Sequence, residues 1–202
     1  MPSVKGIVRL QQTGSGNTVQ QSLPPEQQLP TAYLADADFG WRHIRQCWPG
    51  PDPVTRDWLL TPGSLTRRLQ AISDGTFQVR VVDEGWVYRT IRVSGFAPGV
   101  ATKQMMWSRQ VILGGFGESW VAAHSLFPFS SVKGGQRRLL NLGNRPLGGY
   151  LFRQASLRRT EPEICQVNGV WGRRSMFFVE DRPLLVAEFF LPELLSRYQQ
   201  PL

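Results

Sequence analysis

Two charged residues stand where the pattern of the chain asks for apolar ones. From Met105 to Leu113, alternate residues Met105, Trp107, Arg109, Val111 and Leu113 share a face, because strand side chains alternate sides. Arg109 falls in the middle of that apolar stripe. From Pro183 to Leu191 one face carries Leu184, Val186, Glu188 and Phe190, and the other Leu185, Ala187, Phe189 and Leu191. A strand apolar on both faces is a central one, which puts Glu188 inside. Burying either charge alone is very costly, so each needs a partner. They can pair with one another or with neighbours as a structural ion pair. Alternatively they line a cavity, where a guanidinium grips a carboxylate bidentately and a carboxylate accepts a proton or a hydroxyl. Spacing alone leaves both open.

Other chemistry-bearing residues are sparse. Cys47 and Cys165 are the only cysteines, they lie far apart, and no CxxC is present. They read as buried free thiols in a reducing compartment. A zinc site would need both cysteines with His43 and His124, and only His43 and Cys47 have the i, i+4 spacing of a helix, so no metal is expected.

The elements that must position Arg109 and Glu188 can be read from turn and cap signals. Asp52-Pro53 is an N-cap followed by proline, opening a helix through Thr55–Leu60. Thr61-Pro62-Gly63 breaks it, and Ser64 caps a second helix, Leu65–Ile72, ending before Asp74-Gly75. Strands follow. Phe77–Val82 and Trp86–Val93 are separated by Asp83-Glu84-Gly85, which predicts a hairpin. Met105–Leu113 and Trp120–Phe127 flank Gly-Gly-Phe-Gly and predict a second. Ser156–Val167 and Val170–Val179 meet at Asn168-Gly169, the strongest hairpin signal in the chain. Glu180-Asp181-Arg182 then turns into Pro183–Leu191. Between the second and third hairpins, Gln136–Leu142 and Leu147–Phe152 read as another pair of short helices around Gly143-Asn144-Arg145-Pro146. The expected class is α+β, an antiparallel sheet of about six strands covered by two helix–turn–helix units.

With 202 residues the chain fits one domain. Residues 11–31 are rich in Gln, Pro and Gly and carry only Glu26 as a charge, so 1–32 reads as a flexible leader and 33–202 as the folded domain. No stretch approaches the ~20 apolar residues of a membrane span, and the N-terminus lacks a signal-peptide apolar run. The expectation is a cytoplasmic protein without membrane insertion. The net charge of +8 invites a nucleic-acid reading, but 20 of the 23 cations are Arg, scattered as pairs, and no nucleic-acid motif accompanies them. A basic surface equally steers a small dianion toward a cleft.

Four segments in order, Asp57–Arg68 (DWLLTPGSLTRR), Arg145–Phe152 (RPLGGYLF), Trp171–Ser175 (WGRRS) and Pro183–Pro192 (PLLVAEFFLP), resemble the chorismate lyase family. Each is weak singly, and the ordered set is specific. The resemblance implies a monomeric, cofactor-free enzyme that splits chorismate into 4-hydroxybenzoate and pyruvate, the first step toward the ring of ubiquinone or plastoquinone. It implies two flaps closing over an internal ligand. Arg109 matches the family's arginine on the ring carboxylate and Glu188 its glutamate at the 4-hydroxyl. Leu65 and Leu147 match positions whose backbone groups contact the ligand. Where family members carry an arginine this chain has His124; if that arginine assists the enolpyruvyl carboxylate or the exit of product, His124 does so less well and only when protonated, near or below pH ~6.5, and otherwise it is a satisfied structural residue. Arg173 and Arg174 are further candidates for that carboxylate, and on a strand only one of the two faces inward. The alternative is a small-effector-binding domain of the same fold, as in GntR-type regulators, which need a DNA-binding domain that the forty preceding residues are too short and too polar to form.

Overall fold

A computed structural model describes residues 40–90 and 103–198. The expected leader 1–32, the expected domain start near Tyr33 and the end of the predicted strand at Val93 lie outside the described residues. The strands, in chain order, are β1 (Arg42–His43), β2 (Gln78–Thr90), β3 (Lys103–Gly115), β4 (Glu118–Pro128), β5 (Arg158–Arg159), β6 (Glu163–Val167), β7 (Val170–Val179) and β8 (Arg182–Phe190). They form one antiparallel sheet in the order β1-β6-β7-β8-β4-β3-β2, with β5 also paired to β7. Six strands have five or more residues; β1 and β5 are two-residue additions. The α+β architecture read from the sequence is the one observed.

Turn chemistry sets this order. Three consecutive-strand connections are two-residue turns with both residues at positive φ: Phe116-Gly117 (54° and 78°), Asn168-Gly169 (49° and 82°) and Glu180-Asp181 (51° and 60°). Such turns match the twist of the strands they join. The Asp83-Glu84-Gly85 hairpin is a correction. β2 runs unbroken through it and pairs with β3 along its whole length, with a register shift between Val81 and Asp83. An inserted residue satisfies the same polar composition as a turn while keeping the ladder. It also sets Glu84, rather than Asp83, opposite Arg109. The predicted strand Ser156–Val167 is likewise split into β5 and β6 by Thr160–Pro162, since Pro162 has no N–H to give a ladder.

The helices are α1 (Pro53–Leu59), α2 (Leu65–Ile72), α3 (Leu147–Leu151) and α4 (Pro192–Arg197), the last not anticipated. Asp52 Oδ1 caps α1 by accepting from Thr55 N at 3.0 Å, and Ser64 Oγ caps α2 by accepting from Arg67 N at 3.3 Å. Arg68 ties the pair together: it bonds the Asp57 carbonyl and carboxylate and Thr61, and its guanidinium lies 3.6 Å from the Trp58 ring centroid. The segment expected as a helix at Gln136–Leu142 is a 3-10 helix, Gly134–Asn141, and with α3 it forms the second helical unit.

One face of the sheet is covered by these units. Trp58, Leu59, Leu65 and Leu69 pack on Val111, Leu113, Val121 and Phe190. Leu139, Leu142, Leu147, Tyr150 and Leu151 pack on Phe127, Phe177, Val179, Leu184 and Val186. Each such side chain, fully buried, contributes roughly 1.5–3 kcal/mol of transfer free energy. Packing of an apolar helix face, rather than helix propensity, holds pieces as short as α3 in place. No helix among the described residues is long and apolar enough to cross a membrane.

Candidate functional site

Between the two helical units and the sheet lies a cavity with about 520 Å³ of empty space, counting the part open to solvent. Its floor is built from cross-strand neighbours. One row runs Glu84–Arg109–Ser125–Val186–Ser175 across β2, β3, β4, β8 and β7, of which Arg109, Ser125 and Val186 line the cavity. The adjacent row runs Val111–Ala123–Glu188–Arg173. Small Ala123 and Ser125 leave the space, and Leu65, Thr66, Leu147, Gly148 and Leu151 close it from above. The two units meet at Gly148, where an added Cβ would come within 2.5 Å of Thr66 Oγ1.

Arg109 is 1% exposed. Its Nη2 donates to the Gly143 and Arg145 carbonyls at 2.6 and 3.2 Å, the turn of the second unit. Its Nε lies 3.6 Å from Glu84 Oε2 and makes no hydrogen bond. Burial lowers the guanidinium's pKa and Glu84 partly restores it. The group remains a cation aimed into a largely apolar space with donor capacity to spare. That is the arrangement which binds a carboxylate strongly.

Glu188 pairs with Arg173, its direct cross-strand neighbour, and not with Arg109: Arg173 Nε donates to Glu188 Oε2 at 2.7 Å. Arg173 Nη1 also donates to the carbonyls of Trp58, Leu59 and Thr61 at 3.2, 3.0 and 3.3 Å. This one side chain therefore fixes the carboxylate and holds the turn of the first helical unit. Opposite charges directly across a strand pair are favourable, and the three carbonyls supply the remaining polar contacts that a buried ion pair needs. A structural ion pair and a charged cavity are thus both present, with Arg173 as the partner.

Arg109, Glu188, Arg173, Leu65 and Leu147 come together around the cavity, whereas His124 and Arg174 do not. They lie on the opposite face of the sheet. His124 is 3% exposed with Nε2 2.7 Å from Ser108 Oγ. Burial, with Arg89 nearby, pushes its pKa down to about 3, so it stays neutral where a carboxylate contact would need an imidazolium. Arg174 Nε donates to Glu163 Oε2 at 2.6 Å and its guanidinium lies over Trp41. Of the arginine pair, Arg173 faces inward.

One charged residue of the cavity is not marked by the sequence pattern. Arg159, in β5, lines the cavity, donates through Nε to Ser175 Oγ at 3.1 Å and lies 5.2 Å from the Phe177 ring centroid. It sits in a two-residue strand beside the exposed Arg158, with no apolar stripe to mark it as inward. Among the described residues no three His, Cys, Asp or Glu side chains gather as a metal ion would require. His43 caps a three-residue 3-10 helix rather than sharing an α-helix with Cys47. Burial raises the Cys165 thiol to about 12, so it stays protonated.

Comparison with known proteins places the chain in a family. The family model described as chorismate lyase matches residues 41–200. The chain is 39% identical over 166 residues to "Probable chorismate pyruvate-lyase 2" of Pseudomonas fluorescens (strain Pf0-1), covering 76% of this chain and 90% of that one. It is 36% identical over 153 residues to the chorismate pyruvate-lyase of Escherichia coli (strain K12), covering 75% and 92%. Among solved structures, a GntR-family transcriptional regulator from Bacillus cereus superposes at TM-score 0.41 with 9% identity over 58% of this chain and 93% of that chain, a likeness too loose to bear on function.

Proposed function

The chain belongs to the chorismate lyase family, and from that premise we propose that it splits chorismate into 4-hydroxybenzoate and pyruvate in the cavity lined by Arg109 and Glu188. The observation that carries this reading is that both charged residues line the same partly enclosed, mostly apolar space beneath the two helical flaps.

Chorismate brings most of the driving force itself. The C4–H bond breaks, its electron pair completes the aromatic ring, and the C3–O ether bond departs with the enolpyruvyl oxygen. The proton ends on the enolpyruvyl methylene, giving pyruvate. The protein must hold the reactive conformer, exclude water and place a group where the proton moves. Arg109 anchors the ring carboxylate. Glu188, held by Arg173, accepts the 4-hydroxyl and either takes the C4 proton or orients the molecule for its direct transfer to the methylene. The backbone groups of Leu65 and Leu147, at the starts of α2 and α3, close over the ligand. The reading extends to a cytoplasmic location, which cell fractionation checks, and to a monomer with residues 1–32 as leader and 33–202 as the lyase domain, which size-exclusion chromatography and limited proteolysis check.

The direct test is to incubate purified protein with chorismate and quantify 4-hydroxybenzoate and pyruvate. Equimolar release of both is expected. Tight binding of 4-hydroxybenzoate without turnover of chorismate would make the protein an effector-binding domain instead.

A further inference from the structure

The charges lining the cavity do not balance. Three guanidiniums, those of Arg109, Arg159 and Arg173, and one carboxylate, Glu188, surround it. Arg173 is committed to Glu188 and to three backbone carbonyls. Arg109 has Glu84 at 3.6 Å. Arg159 alone among them makes no direct ion pair with a carboxylate among the described residues, Glu188 acting on it only at longer range; its hydrogen bond goes to the Ser175 hydroxyl through Nε, and neither Nη is bonded to a described residue. Burial and the neighbouring Arg173, partly offset by Glu188, lower its pKa to about 10, which leaves it charged at neutral pH. A partly buried cation with unfilled donors, facing a ligand cavity, calls for an anion.

The register says where that anion lies. Ser175, which Arg159 reaches, ends the same cross-strand row that begins at Arg109: Arg109–Ser125–Val186–Ser175. Three strand spacings of ~4.8 Å, roughly 14 Å, separate the backbones of Arg109 and Ser175, and Arg159 reaches the Ser175 end from β5, opposite Phe177. Two cations at opposite ends of one row can each fork a carboxylate of the same small ligand. A six-membered ring with one carboxylate on it and a second on a short ether side chain is such a ligand.

We propose that Arg159 forms a second carboxylate subsite, at the Ser175 end of the cavity, which binds the side-chain carboxylate of the dianionic substrate while Arg109 binds the ring carboxylate. The inference rests on the lyase reading and adds the part of the site that distinguishes substrate from product. The aromatic product keeps the ring carboxylate and loses the side chain, so Arg159 contributes to substrate binding and not to product retention. Release of the side chain as pyruvate then leaves the subsite unpaired.

The test compares Arg159→Gln and Arg159→Lys with the unaltered protein in two assays: steady-state turnover of chorismate and calorimetric binding of 4-hydroxybenzoate. Removing one partner of a desolvated charge pair typically costs enough to raise KM for chorismate at least ~30-fold in Arg159→Gln. The lysine variant should recover part of that loss, and Kd for 4-hydroxybenzoate should stay within about threefold, since that ligand lacks the second carboxylate. Retained product binding also shows that the variant folds. Equal weakening of both ligands would make Arg159 a structural residue, and an unchanged KM would remove the subsite. Failure of the unaltered protein to release pyruvate would instead strike the lyase reading itself.

Discussion

Arg109 and Glu188 differ in what they should do when removed, because each is held differently. Arg109→Ala deletes the cation and frees the Gly143 and Arg145 carbonyls that its Nη2 satisfies. Loss of a buried charge contact of this kind costs about 2–5 kcal/mol, so affinity for 4-hydroxybenzoate should fall by roughly 30-fold to several thousand-fold. Glu188→Gln keeps the shape, removes the charge, and should lower kcat by ~10²–10⁴-fold with a much smaller change in KM. Equal and mild effects from both, in the same kinetic assay, would sink the assignment. Both residues were visible in the sequence because a charge interrupting an apolar stripe has no cheap explanation. Their partners were not visible. Whether Glu188 faces Arg109 or Arg173 depends on the β7–β8 register, and no residue type announces that Arg173 and Glu188 are direct neighbours. His124 was drawn toward the site by family position, yet it alternates with Ala123 and Ser125, and those two line the cavity.

At the scale of elements, the sequence was most legible where backbone conformation restricts residue choice. Asn168-Gly169 marked its hairpin because both positions need positive φ, and Asp52-Pro53 and Ser64 marked helix starts because the first N–H groups need acceptors. Asp83-Glu84-Gly85 misled because a bulge in an edge strand tolerates the same polar residues as a turn. Glycine at 148 has a different origin, a close approach between flaps. A Cβ there would lie 2.5 Å from Thr66 Oγ1 and 3.2 Å from Ser64 Oγ, so a side chain must displace Thr66 or part α3 from α2. Gly148→Val should therefore loosen the lid: stopped-flow release of 4-hydroxybenzoate should speed up at least tenfold, and equilibrium affinity should weaken accordingly. A slower release, or no change, would mean that the flaps do not part along the α2–α3 contact when product leaves.

For the molecule as a whole, the far face of the sheet sets a pH limit that the cavity does not share. His124 is buried there beside Ser108, and burial holds its pKa near 3 against an ordinary value of 6.5. The folded protein thus keeps this imidazole neutral over a range in which the unfolded chain binds a proton. Stability rises with pH wherever the unfolded state holds more protons, so this contribution is complete above pH ~6.5 and is lost as pH falls toward ~3. Its full size is on the order of 5 kcal/mol, and about 2 kcal/mol of it should disappear between pH 7 and pH 5. In that interval surface carboxylates are still ionised, so the loss is specific to histidine. For a chain of this length 2 kcal/mol corresponds to a drop in Tm of roughly 4–8 °C. His124→Gln, which can still bond Ser108 but cannot take a proton, should flatten that slope, while His43→Gln, at the surface, serves as the control. Thermal melts at pH 7 and pH 5 that fall equally in the parent and in His124→Gln would show that burial of this imidazole does not set the acid limit.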